Sequence, residues 1–136
     1  MTDSFAVELP LPPKDLSPNV RKHWAAKARA TKKYRTACAW AFTAAKPKGW
    51  KQRPIVIDVG YRCSANAPGY VAHDSQNAIA SLKAAADGIV DAGIIPTDSH
   101  DWLEWGGVSL VTRKDDPAWK LLGDGVTVTV RVLSGG

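Results

Sequence analysis

The spacing of hydrophobic and polar residues along the chain predicts four strands and two helices. Between residues 20 and 45, apolar or small side chains recur every three or four positions, and most Lys and Arg residues fall outside this helical face. From residue 125 to residue 133, Val alternates with Thr or Arg, which is typical of a strand with one buried face. Similar patterns predict strands at 4–9, 54–63 and 102–113 and a second helix at 75–92.

The predicted second helix has a start signal and a stop signal in the sequence. Asp74 precedes it and can accept hydrogen bonds from its first backbone N–H groups, while Gly93 suits the left-handed position that follows a helix. Leu82, Ala85 and Ile89 are expected on the face that packs against the core.

The order of these elements predicts the fold class. The last two strands are joined by a turn-rich loop, "KDDPAWKLLGD", and an antiparallel hairpin is the simplest connection between them. The order βαβαββ therefore predicts an α+β fold, in which two helices pack on a small mixed β-sheet. A chain of 136 residues is long enough for one domain with a single core, and we expect residues 1–136 to form it.

Composition narrows the class of protein. No segment approaches the roughly 20 apolar residues that span a bilayer, and the first residues lack a signal-peptide pattern, so we expect a cytoplasmic protein without membrane contacts. The two cysteines, Cys38 and Cys63, have neither the number nor the spacing of a disulfide framework or a zinc site. Both are expected to be free thiols in the core.

Positive charge is concentrated in one part of the chain. The net charge is +5, yet residues 14–53 contain twelve Lys and Arg residues and one acidic residue, so the remainder of the chain is net acidic. Three tryptophans and one tyrosine lie within this basic segment. Aromatic and basic side chains together favour binding to a nucleic acid over the alternative, a helix face that is merely solvated.

Two aspartates lie in connections, where catalytic groups often occur. Asp74 precedes the predicted helix and Asp98 follows it, and a helix of about 18 residues is about 27 Å long. The two can meet only if "GIIPTD" runs back along the sheet, and six extended residues cover about 20 Å. Lys83 can reach toward Asp74, because helical side chains lean toward the N-terminus.

Ordinary structural roles are the alternative for the same residues. Asp74 could serve only as a helix cap, and Lys83 with Asp87 only as an exposed pair one turn apart. Asp87 is nearly 20 Å along the predicted helix from Asp74, by the rise of about 1.5 Å per residue, so it is expected to pair with Lys83 rather than to share a metal with Asp74.

Two stretches of the sequence resemble one known family. "LPLPPKDLSPNVRKHWAAKARATKKYR" and "HDSQNAIASLKAAADGIVDAGIIPTDSHD", together with the basic helix between strands, are similar to the RusA family of Holliday junction resolvases, particularly the forms from actinobacteria and their phages. The similarity covers most of the chain. It implies a small, homodimeric, Mg²⁺-dependent endonuclease that cleaves four-way DNA junctions symmetrically, with one RusA-like domain over residues 1–136.

The resemblance also implies roles for individual residues. The family's acidic metal ligands and its essential lysine fall on Asp74, Asp98 and Lys83, while Gln76 and Thr97 stand where the usual pattern has aspartates. The residues that could be further ligands or could support the ligands are Asn77, Asp87 and Asp101. The residues expected to contact DNA phosphates are Asn19, Arg21, Lys22, His23, Lys27, Arg29, Lys32, Lys33 and Arg35.

Two other functions fit the same sequence. A non-catalytic DNA-binding module would share the basic segment but would need no cluster of carboxylates and lysine. A different metal-dependent nuclease, acting on DNA flaps or simple duplex, would share both features and would differ in its substrate.

Overall fold

Four strands and three helices make up the part of the chain that the computed structural model describes, residues 4–12, 24–62, 82–111, 117–123 and 125–133. The strands are β1 (Ser4–Leu9), β2 (Ile55–Arg62), β3 (Leu103–Val111) and β4 (Gly125–Val132). The helices are α1 (Trp24–Ala45), α2 (Lys83–Asp91) and α3 (Pro117–Leu122). None of these described helices is long and apolar enough to cross a membrane.

The strands form one mixed sheet in the order β1-β4-β2-β3, which confirms the predicted α+β fold. β2 and β3 run parallel, and β4 is antiparallel to both β1 and β2. The predicted hairpin between the last two strands is therefore wrong. β4 inserts between β1 and β2, where Val128 pairs with Val7 on one side and with Val59 on the other, so its backbone is hydrogen-bonded along both edges. The loop predicted before β4 contains α3.

One face of the sheet packs with α1 and α2 into the hydrophobic core. The buried residues follow the alternation of the strands and the spacing of the helices, as the sequence predicts for β4 and α2. On the strands they include Ile55, Ile57, Val59, Tyr61, Val126, Val128 and Val130, and on or beside the helices Tyr34, Cys38, Phe42, Leu82, Ala85 and Ile89. Burial raises the pKa of Cys38 to about 12, which is consistent with the predicted core thiol, and Cys63 lies outside the described residues.

The first turns of α1 differ from the prediction. The sequence places Trp24 and Ala28 on the buried face, but Ala28 is exposed and the Trp24 side chain is 76 % exposed. Burial on α1 begins with Tyr34, whose hydroxyl donates a 2.7 Å hydrogen bond to the carbonyl of Pro10. Only the C-terminal part of the predicted apolar face therefore contacts the sheet.

The two long helices approach most closely at Gly88. A Cβ atom at this position would lie 2.9 Å from Cβ of Cys38 and 3.0 Å from the backbone nitrogen of Ala39, so only glycine fits without a shift. Nearby, the Lys46 ammonium donates a 2.9 Å hydrogen bond to the carbonyl of Ala92, just after α2. These contacts fix α2 against α1.

Helix α2 begins later than the sequence predicts. Leu82 occupies its N-cap with φ −98° and ψ 7°, and no side chain caps the helix there. The predicted cap Asp74 and residues 75–81 lie outside the described residues. Because Leu82 is not helical, the distances that assumed one continuous helix from Asp74 do not apply. The predicted stop is confirmed, since Gly93 follows α2 with φ +77°.

The other face of the sheet carries polar and charged side chains. Arg62 is only 3 % exposed, and it donates hydrogen bonds to Oε2 of Glu8 (2.6 Å) and Oγ1 of Thr127 (2.5 Å). Asp58 accepts a 2.5 Å hydrogen bond from Nε of Arg131. These pairs hold β1, β2 and β4 together on the side away from the helices.

Candidate functional site between α2 and the segment that follows it

Two aspartate side chains meet beside α2. Asp87 lies one turn after the first residue of α2, and Asp98 ends the segment after the helix, residues 92–98, which we call the return segment. The carboxyl groups of Asp87 and Asp98 lie within hydrogen-bonding reach of each other. The return segment therefore brings Asp98 back beside α2, next to Asp87.

Buried side chains hold the return segment in place. Gly93 turns the chain with φ +77°, and Ile94 and Ile95 then place their side chains fully in the core. The indole N–H of Trp50 donates a 2.9 Å hydrogen bond to the carbonyl of Ile94. The position of Asp98 is thus set by apolar burial three residues earlier in the chain.

The aspartate pair has unusual electrostatics. Burial raises the pKa of Asp87 above its ordinary value, and the positive charge of Arg35 opposes this shift. The neighbouring carboxyl of Asp98 raises that pKa further, and the charge of Lys83 lowers it. Neighbouring carboxylates repel each other when both are charged, and a cation placed between them offsets that repulsion. The arrangement therefore favours the binding of a cation.

Arg35 connects the basic helix α1 to this acidic site. Its guanidinium donates hydrogen bonds of 2.6 and 2.8 Å to the two carboxylate oxygens of Asp91, a geometry that lowers the pKa of Asp91. The charge of Arg35 also acts on Asp87 and Asp98. The sequence predicts a DNA contact for Arg35, whereas the structure shows its guanidinium engaged by an aspartate of the same chain.

The remaining predicted DNA contacts on α1 lie at or near the surface. Arg29, Lys32 and Lys33 are exposed, and Lys27 is partly buried. No acidic residue occurs between Trp24 and Ala45, so the solvent side of α1 is uniformly basic. This basic surface extends to Arg35 and therefore adjoins the aspartate pair.

Two predicted site residues, Lys83 and Asp101, have exposed side chains. Lys83 is exposed at the start of α2, and the ion pairs of the described residues do not include Lys83 with Asp87. The charge of Lys83 does act on Asp87, but Arg35 and Asp98 act on it more strongly. Asp101 is 76 % exposed and lies 3.3 Å from Nε2 of His100.

Other predicted residues lie outside the described part of the chain. They are Asp74 and Asn77 of the candidate site and Asn19, Arg21, Lys22 and His23 of the candidate DNA surface. The sequence predicts only a supporting or alternative ligand role for Asp87, because its pattern predicts a helix that continues from Asp74. No local sequence signal revealed that α2 starts at Lys83.

The donor set of the aspartate pair is compatible with Mg²⁺. Carboxylate oxygens are its preferred ligands, and Mg²⁺ keeps several waters when one or two carboxylates hold it. Among the described residues, no group of three or more His, Cys, Asp or Glu side chains could hold a metal ion. Asp87 and Asp98 could therefore supply two ligands, and a third protein ligand, such as Asp74, would come from outside the described residues.

Comparisons with known proteins add one relative. No protein-family model matches the chain. An uncharacterized protein of Xylella fastidiosa (strain Temecula1 / ATCC 700964) is 34 % identical over 89 residues, which are 64 % of this chain. The matched region spans 56 % of that relative's length, and its description names no activity.

Proposed function

We propose that this chain is a Mg²⁺-dependent endodeoxyribonuclease that cleaves four-way DNA junctions by phosphodiester hydrolysis, in DNA recombination and repair. The observation that supports this most strongly is the meeting of Asp87 and Asp98 beside the basic helix α1. The resemblance to the RusA family supplies the junction preference. A homodimer and a cytoplasmic location belong to the same proposal.

Each part of the site has a chemical task. Asp87 and Asp98 hold Mg²⁺, and Asp74 is the candidate for a further ligand. When bound, Mg²⁺ lowers the pKa of a water molecule and offsets the negative charge that develops on the phosphate. Lys83, one turn before Asp87 on α2, directs its ammonium group at the phosphoryl oxygens. Arg35 holds α2 against α1 and so fixes the direction of Asp87.

The basic surface of α1 and the homodimer explain the choice of substrate. Lys and Arg side chains bind backbone phosphates without reading sequence, so the shape of the DNA decides which phosphate reaches the site. A four-way junction presents two equivalent strands. Two copies of the chain, related by a two-fold axis, would cleave both strands at symmetric positions.

Single-turnover cleavage of a labelled four-way junction, at saturating protein, tests this function. Asp87→Asn and Asp98→Asn should each lower the cleavage rate by about two orders of magnitude or more, the scale for losing a group that stabilises the transition state. Junction binding should be unchanged or tighter in both variants, because a negative charge near the phosphates is removed. Asp58→Asn, which alters an aspartate on the opposite face of the sheet, is the control and should cleave normally.

The same assay separates the alternatives. Normal cleavage by both site variants would contradict the assignment of the aspartates. A wild-type protein that binds the junction with Mg²⁺ but never cuts it is a non-catalytic DNA-binding module. Equal cleavage of junction and linear duplex would identify a metal-dependent nuclease with a different preference.

A further inference from the structure

A groove of about 480 Å³ runs along one side of α1. Its lining residues recur at the spacing of one helix face and combine an aromatic ring, small side chains and positive charges: Trp24, Lys27, Ala28, Thr31, Lys32 and Arg35. The hydroxyl of Thr31 donates a 2.8 Å hydrogen bond to the carbonyl of Lys27 and is thus satisfied within the helix. The groove therefore has an apolar base with lysines beside it.

The groove leads from an exposed tryptophan to the aspartate site. Trp24, which is 76 % exposed, marks one end, and Arg35 marks the other. Arg35 follows Trp24 by eleven positions, so the groove is about 16 Å long at 1.5 Å per residue. At its far end Arg35 binds Asp91, and its charge acts on Asp87 and Asp98.

The chemistry of this groove selects one kind of occupant. α1 carries five basic residues and no acidic residue, which favours a polyanion. An exposed indole ring beside lysines provides a stacking surface for a nucleobase, and such surfaces are typical of proteins that bind single-stranded nucleic acid. A length of 16 Å matches about five nucleotides of a stacked strand, at about 3.4 Å per step.

We propose that this groove binds a DNA strand with at least one unstacked base, which stacks on Trp24 while Lys27 and Lys32 bind its phosphates. The inference rests on the proposed function, because it assigns the path by which the strand reaches the aspartate pair. Bases in an intact duplex are already stacked on each other. The groove should therefore bind the branch point of a junction, or single-stranded DNA, more tightly than intact duplex.

Equilibrium binding of the full chain to a fluorescently labelled single-stranded oligonucleotide, in EDTA so that no cleavage occurs, tests the groove. Trp24→Leu keeps an apolar side chain but removes the ring, and it should weaken binding roughly tenfold, within the range for losing one base–aromatic stack. Trp24→Phe keeps an aromatic ring and should restore most of the affinity. Trp40→Leu is the matched control, since Trp40 is 74 % exposed on the same helix but outside this groove, and it should bind normally.

A comparison of two lysines tests the charge contribution in the same assay. Lys32 lines the groove, whereas Lys48 is exposed beyond the end of α1 and does not line it. Lys32→Ala should lower the slope of log affinity against log salt concentration by about 0.7, the value for one lost phosphate contact to a single strand. Lys48→Ala should lower it by much less. Equal slopes for the two variants, or equal affinities for Trp24→Leu and Trp40→Leu, would overturn the proposed groove.

A fluorescent base analogue tells this inference apart from the proposed function. Placed in a four-way junction about five nucleotides from the cleaved phosphate, it should be quenched by the wild-type protein and much less by Trp24→Leu. Quenching without cleavage in Mg²⁺ would support the groove and contradict the nuclease. Cleavage of the junction, with identical quenching by wild type and Trp24→Leu, would support the nuclease and contradict the groove. Thermal melting confirms that each variant is folded.

Discussion

Gly88→Ala should separate the two helices that build the candidate site. The added Cβ would lie 2.9 Å from Cβ of Cys38, 3.0 Å from the nitrogen of Ala39 and 3.2 Å from the carbonyl oxygen of Arg35. Carbon atoms in contact prefer about 3.5–4.0 Å, so α1 and α2 must move apart by roughly 0.5–1 Å. Two of the three atoms are backbone, which side-chain rotation cannot displace.

The expected magnitude is the difference between two effects. Overpacking of this kind costs about 1–3 kcal/mol, and replacing a helical Gly by Ala returns about 1 kcal/mol through helix propensity. We therefore expect Gly88→Ala to lose about 1 kcal/mol of unfolding free energy, which lowers Tm by about 4 °C for a domain of this size. Gly88→Val adds volume and loses the propensity gain, so its Tm should fall further.

Thermal unfolding followed by circular dichroism measures this effect. Gly60→Ala is the control, because the nearest atom to its added Cβ, Oγ of Ser109, lies at an ordinary contact distance of 3.6 Å. It should melt at or above the wild-type temperature. The same helix separation would draw Arg35 away from Asp91, so Gly88→Ala should also cleave junctions more slowly. A Gly88→Ala protein with a higher Tm than wild type would refute the close approach of the helices.

Three further outcomes follow from other contacts. Lys83→Ala should lower the single-turnover cleavage rate about 100-fold or more with little change in stability or binding, and a near-normal rate in a folded variant would remove Lys83 from the site. Asp58→Asn should be less stable than wild type at pH 7 by about 1 kcal/mol, measured by denaturant unfolding, because its hydrogen bonds with Arg131 lose the carboxylate charge and one of the two acceptor oxygens. Those hydrogen bonds hold the pKa of Asp58 below its ordinary value. Their stabilisation is therefore present above about pH 4 and is lost as pH falls through the folded-state pKa. The difference in stability between wild type and Asp58→Asn should shrink at pH 3, and a constant difference would contradict this. Arg62→Ala should lose about 2 kcal/mol in the same measurement, because it removes a buried guanidinium that donates hydrogen bonds to Glu8 and Thr127, and a loss below about 0.5 kcal/mol would contradict that role.

Local patterns were sufficient to predict the strands but not their arrangement. β4 lies within one residue of its predicted position, because Val126, Val128 and Val130 alternate with polar residues at the period of a strand. Its place between β1 and β2 depends on pairing with residues more than 60 positions away in sequence, such as Val59. No pattern within β4 itself carries that information, and the economical choice of a hairpin was therefore wrong.

The candidate site was predictable only in part for a related reason. The sequence predicts that Asp98 lies in a connection between a helix and a strand, and the structure has it, exposed, between α2 and β3. For Asp87 the sequence predicts a position far along a helix that begins after Asp74, whereas α2 begins at Lys83 and the Asp87 carboxyl group neighbours that of Asp98. The sequence groups Arg35 with the other basic residues of α1, because its partner Asp91 lies 56 residues later in the chain and becomes a neighbour only when the helices pack.

The most direct test of the central claim uses a labelled four-way junction and a linear duplex of the same sequence, each incubated with the wild-type protein in Mg²⁺ and in EDTA. Denaturing gels then resolve the position of every cut. Our account predicts paired cuts at symmetric positions in the junction, only with Mg²⁺, little cleavage of the duplex, and no cuts by Asp98→Asn. A junction that stays intact in Mg²⁺ while bound to the folded protein, or cleavage that persists in EDTA, would contradict it.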